Sequence, residues 1–176
     1  MKQIVKRVAF TGICILIALL LQTVVMPQIP FLEVTPNFLL IIVTTFAILR
    51  GRREGMIVGV ICGLLADFTS GSLVGFYAIV YLWMGYVTGL FSRFLAPDMV
   101  LIPVIACFIN EVLYGGYVFV FRYLLRNRLD IIAYGKTIWM PEVIETVICA
   151  MICYGIILLI NGKLEEQQRR GERRFA

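Results

Sequence analysis

The side chains with chemistry to offer are a handful of acids and amides set in apolar surroundings: Asp67, the pair Asn110-Glu111, and Glu142 with Glu145. Paired carboxylates suit general acid–base work, since one can donate a proton while the other accepts one. That use needs a nucleophile or a bound metal to act on. The chain contains no histidine, the commonest base and metal ligand. Cys149 and Cys153 stand four apart on one helix face, a spacing that admits a soft metal. With no histidine nearby they read as core, as do Cys14, Cys62 and Cys107. Ser70-Gly71-Ser72 has the look of a serine-protease turn but lacks a base to activate it. No catalytic residue, metal site or cofactor is expected, and the chain reads as a non-enzyme.

The surroundings of these acids show why they matter. Hydrophobic residues make up 61% of the 176 positions and charged residues 15%. A water-soluble domain with that balance could not cover its surface with polar groups, so the expected solvent is lipid. An ionisable group at membrane depth is costly and faces protein or a wet cavity. Glu111, near the middle of an apolar stretch, is the costliest placement, and Tyr114 and Gly115 share its helix face. Asn110 points about 100° away from it. Asp67 closes an apolar segment, where it either lines a pocket or terminates the helix. Glu142 and Glu145 fall in the first turn of the last stretch, where free amides and the helix dipole favour acids. Asp67, Asn110, Glu111, Glu142 and Glu145 are therefore carried forward as the lining of an outward-facing polar pocket.

Six apolar stretches position these residues: 8–25, 37–49, 55–68, 73–91, 99–121 and 141–160, followed by a polar tail at 161–176. The expected fold class is all-α, a polytopic membrane bundle of about six transmembrane helices forming a single integral membrane domain over 1–176. The second and third stretches are short for a bilayer crossing at about 1.5 Å per residue. The net charge of +5 belongs mainly to segment ends: Lys2, Lys6, Arg7, the Arg50-Gly51-Arg52-Arg53 turn, Arg93 and the tail. That distribution puts both termini in the cytoplasm and attributes the charge to membrane lipids rather than nucleic acid. The loop carrying Arg122, Arg126, Arg128 and Lys136 breaks the pattern. It reads as an interfacial segment, with a five-span topology as the rival.

Gly55, Gly59 and Gly63 follow one another at four-residue steps, and Gly85 and Gly89 repeat the spacing. Four residues return nearly to the same helix face, so these glycines form a groove without side chains. Another helix fits there, from this chain or from a partner. The functional expectation is a partner's helix packed on Gly55, Gly59, Gly63, Gly85 and Gly89.

The order of features resembles a known family. A basic start and first span lead to Pro36-Asn37-Phe38-Leu39-Leu40 and an arginine-rich turn. Gly55-x-x-x-Gly59-x-x-x-Gly63-Leu-Leu-Ala-Asp67 follows, then Gly71, Gly75 and a long aromatic span. Over essentially its whole length the chain resembles the rod shape-determining protein MreD family, with Pro36, Asn37, Gly71 and Gly75 among the matched motif positions. The resemblance implies a bacterial inner-membrane scaffold of lateral cell-wall elongation and peptidoglycan synthesis, without enzymatic activity. It implies a fold like that of the substrate-binding subunits of energy-coupling-factor transporters. The implied partner is MreC, a bitopic protein, and through it the MreB filament and the glycosyltransferase RodA with its transpeptidase. The alternative is a vitamin-binding subunit of such a transporter. The Ala-x-x-x-Ala docking motif of those subunits is missing, since Ala9 and Ala18 are nine apart.

Overall fold

The computed structural model describes residues 2–29, 34–71, 74–92, 101–123 and 135–172. Among them the chain is helical with no strand, and six α-helices follow in order: α1 (Lys2–Leu20), α2 (Phe38–Arg50), α3 (Arg52–Ser70), α4 (Phe76–Phe91), α5 (Leu101–Val118) and α6 (Met140–Glu172). Turns of π-helix extend α1 over Leu21–Val25 and α5 over Phe119–Tyr123, and another leads into α6 over Gly135–Trp139. Among the described residues three stretches are long and apolar enough to cross a membrane: Lys6–Gln28, Leu101–Phe121 and Gly135–Ile157. Glu33, the turn at 93–98 and most of the basic loop at 122–136 lie outside the described residues.

Helix α2 explains how a short apolar segment survives here. Every residue from Phe38 to Ile48 is buried, so the helix is apolar all round because it meets protein on every side. Helices α1, α3, α4, α5 and α6 all pack against it. A helix enclosed this way need not match the thickness of a bilayer, and its 13 residues span only about 20 Å. The price of burial falls on its first amides, which have no partner inside the helix. All are provided for: Leu40 N–H donates to Asn37 Oδ1 (3.2 Å) and Leu39 N–H to Gln22 Oε1 (3.2 Å). Phe38 N–H donates to Pro36 O (3.1 Å), and Asn37 N–H to Thr146 Oγ1 (3.0 Å).

Helices α3 and α4 form the tightest pair, and the glycine ladder is the reason. A Cβ on Gly59 would stand 2.3 Å from Tyr81 O, and one on Gly63 would stand 2.4 Å from Ala78 Cα. Gly55 faces Gly85 O, and Gly89 faces Arg52 Cα, in the same way. This corrects the expectation that a partner's helix packs on Gly55, Gly59, Gly63, Gly85 and Gly89. The two ladders face each other within the chain, and backbone already occupies the space a foreign helix would need.

Segment bounds differ from the expected ones where polar residues continue a helix. Helix α3 starts at Arg52 and has 19 residues, longer than the stretch counted from Gly55, because Arg52–Glu54 form its first turn. Helix α4 begins at Phe76, preceded by Gly75 at φ 103°, a conformation only glycine adopts without strain. Helix α6 runs on from the last apolar stretch through the tail to Glu172.

Candidate functional site

Helices successive in the chain run antiparallel, so the chain has two ends of distinct character. One end gathers Arg7 of α1, Arg50 of α2 and Glu54 of α3. The other gathers the starts of α2, α4 and α6 with the ends of α1, α3 and α5, and there most of the candidate acids and amides lie.

Asn37 is the centre of that second end. Besides capping α2, its Oδ1 accepts from the Tyr81 hydroxyl over 2.8 Å, and its own amide reaches Thr146 on α6. Asn37, Tyr81 and Thr146 are all at least 98% buried. Through its side-chain oxygen and its backbone N–H together, Asn37 joins α2, α4 and α6 in a place where water cannot substitute for a lost bond. An Asn at the head of an apolar run is a capping signal that could have found this role, although Asn37 was expected only as a family-motif position. Nothing in the spacing of Tyr81, Thr146 or Gln22 announced them as its partners.

Glu111 of α5 is buried to the same degree, at 1% exposure. Neither carboxyl oxygen has a partner within hydrogen-bonding distance among the described residues. Asn37 is its polar neighbour, and Glu142 at the start of α6 lies within electrostatic range. Glu142 in turn interacts with Glu145. The tertiary fold thus brings Glu111, Glu142 and Glu145 to one region. Tyr114 meets the Tyr77 and Tyr81 rings there at tilted angles of 32° and 55°, with ring centroids 5.9 and 5.8 Å away. Gly115, on the face shared with Glu111, takes the Trp139 ring, which lies where a Cβ would stand.

Asp67 and Asn110 each bond to groups on other helices. Asp67 is 1% exposed and turns into the start of α4. Its Oδ2 accepts from Gly75 N–H (2.8 Å) and Ala78 N–H (3.3 Å), and its Oδ1 from Tyr77 N–H (2.8 Å). A carboxylate on the last turn of α3 thus caps the next helix, where charge and helix dipole reinforce each other. Gly71 sits in the left-handed region at φ 61° and ends α3. Asn110 points about 100° around α5 from Glu111. Its Nδ2 donates to Thr44 Oγ1 (2.9 Å) and Thr88 Oγ1 (2.8 Å), tying α5 to α2 and α4.

No three acids, cysteines or histidines converge as a metal site among the described residues, and the five cysteines are free thiols. Between α4 and α5, aromatic contacts fill one end: Phe76 lies 5.0 Å from Tyr117 and 5.8 Å from Phe121 between ring centroids. Toward the other end these helices part to leave an apolar groove lined by Val87, Phe91, Ile105 and Ile109, with Thr88 and Asn110 also on its wall.

No curated protein and no solved structure matches the chain. The rod shape-determining protein MreD family matches residues 3–161, nearly the whole chain. Helices apolar enough to span a membrane and a match of that extent lead to one conclusion: this membrane protein belongs to the MreD family and serves rod-shape determination.

Proposed function

We propose that the protein is a non-catalytic scaffold of the bacterial lateral cell-wall elongation complex, and that it holds the membrane helix of an MreC-type bitopic partner. The observation that carries this reading is the family match over residues 3–161. In this reading the chain is one multi-pass domain of the inner membrane with both termini in the cytoplasm. It shares the six-helix plan of the energy-coupling-factor substrate-binding subunits. Through its partner it reaches the MreB filament and the RodA-type glycosyltransferase with its transpeptidase.

The use made of the polar side chains supports a scaffold. Asp67, Asn110 and Asn37 bind helix to helix, and each such bond at membrane depth holds the relative placement of two elements. Because α3 and α4 close the glycine seam on each other, a partner's helix approaches on larger side chains of the lipid-facing surface. Val8, Ile13, Ile57, Ile79 and Trp83 are among the large residues exposed there. The region around Glu111, Glu142 and Glu145 serves in this reading as an outward polar contact for the partner or a lipid.

Co-purification tests this directly. An epitope-tagged chain extracted in mild detergent should retain a single-span MreC-type protein, and its depletion should turn rod-shaped cells round. Nanomolar binding of a vitamin by the purified chain, without any such partner, would overturn the scaffold reading.

A further inference from the structure

We infer that the groove between α1 and α3 is a binding site for one anionic phospholipid, with its phosphate at Arg50 and Arg7 and an acyl chain lying along the two helices. Arg50 ends α2, and its side chain is only 4% exposed. One guanidinium nitrogen, Nη1, donates to Thr11 Oγ1 (2.7 Å) and Glu54 Oε2 (3.1 Å). The guanidinium carbon lies 4.6 Å from the centroid of the Phe46 ring. Its Nε and Nη2 have no acceptor among the described residues. A buried guanidinium with two unused donors is an expensive arrangement, and a phosphate oxygen pair is the acceptor whose shape fits that fork.

The charges around it favour an anion. Arg7 Nη2 stands 3.7 Å from Glu54 Oε1, so a single carboxylate lies between two guanidinium groups. One positive charge is left over, the complement of one phosphodiester. Arg7, Thr11, Arg50 and Glu54 line the polar end of the groove. Beyond them the walls are aliphatic: Ile15 and Leu16 from α1, and Ile57, Ile61 and Leu65 from α3. A charged head followed by roughly two turns of apolar wall matches a lipid and not a soluble anion. Gly12 lies on the same wall, and a Cβ built there meets nothing within 4 Å. This helix face therefore has open space at its middle, whereas the glycines of α3 and α4 are filled.

The test uses the purified full chain in mild detergent and native mass spectrometry. The probes are phosphatidylglycerol, phosphatidylcholine of the same acyl chains, and inorganic phosphate. One phosphatidylglycerol per chain should be retained, with a preference over phosphatidylcholine of about tenfold, roughly 1.4 kcal/mol. Inorganic phosphate should not displace it. Gly12→Phe places a ring in the groove from an exposed position where an added Cβ meets nothing within 4 Å, so it should keep the wild-type melting temperature and lose the lipid. Arg50→Gln should abolish the preference between the two lipids; if this variant does not fold, Gly12→Phe decides. Equal retention of both lipids, displacement by inorganic phosphate, or full retention in a folded Gly12→Phe chain overturns the inference. So does a Gly12→Phe chain that keeps the lipid but loses an MreC-type protein, since the groove would then be a partner's seat.

Discussion

Replacing Asp67 by asparagine leaves the shape of the side chain almost unchanged and removes one of its two acceptor oxygens. In the native chain Oδ2 serves Gly75 and Ala78 N–H, and Oδ1 serves Tyr77 N–H. Asparagine has a single oxygen, so at best it keeps the Oδ2 pair and turns an NH2 group toward the Tyr77 amide. One bond to a charged acceptor is lost, worth about 1.5–3 kcal/mol. The helix N-terminus also loses a formal charge, worth about 0.3–1 kcal/mol. Together these predict a destabilisation of about 2–4 kcal/mol, which for a chain of this size lowers the melting temperature by roughly 5–15 °C. Asp67→Ala strips the acceptor from all three amides and should fall further. Thermal unfolding followed by circular dichroism in detergent reads the effect. Thr69→Ala, on an exposed residue two positions along, is the control and should shift stability by less than about 0.5 kcal/mol. If Asp67→Asn melts with the wild type, the clasp between α3 and α4 does not carry the load assigned to it. If it melts with the wild type and yet loses its partner protein, Asp67 is a contact residue.

Gly59→Ala must push Tyr81 O back by about 1 Å, at an overpacking cost of about 1–3 kcal/mol; Gly59→Leu should lower the yield of folded chain, whereas a folded Gly59→Leu chain that specifically loses its partner would restore the seam to intermolecular use. Asn110→Ala breaks two interhelical bonds, each worth about 0.6 kcal/mol at membrane depth; a drop of about 1–2 kcal/mol in thermal unfolding is expected, and Thr44→Val in the same chain should add less than it does alone. Glu111→Gln removes no hydrogen bond made by either carboxyl oxygen, so the variant should melt within about 1 kcal/mol of the native chain; a large loss would reveal a partner that Glu111 keeps.

Some of the site could be read from residue types alone because the signal was local. An asparagine heading an apolar run is a helix cap wherever that run lies, and Asn37 caps α2. The glycine steps announced close packing, since the face they share follows from helix geometry. Asp67 was legible only as an expensive group near a helix end. That it caps the next helix depends on where α3 ends and α4 begins, and Gly71 and Gly75, both at positive φ, flank those two points. Tyr81 and Thr146 carry no local mark, because a hydroxyl in an apolar helix can bond its own backbone as easily as a distant amide.

Composition alone determined the solvent, the helical class and the absence of histidine, for these follow from what a residue is rather than where it stands. The short second segment looked anomalous in that light, because length was judged against a bilayer. Only the tertiary structure could decide that α2 meets protein on all sides and so answers to its neighbours' dimensions instead. The glycine ladder divides in the same way. Its face was fixed by a spacing of four residues, but its occupant was not. Helix α4 fills it because the turn clasped by Asp67 brings α4 back antiparallel onto α3, within reach of a backbone that carries no side chain to hold it off.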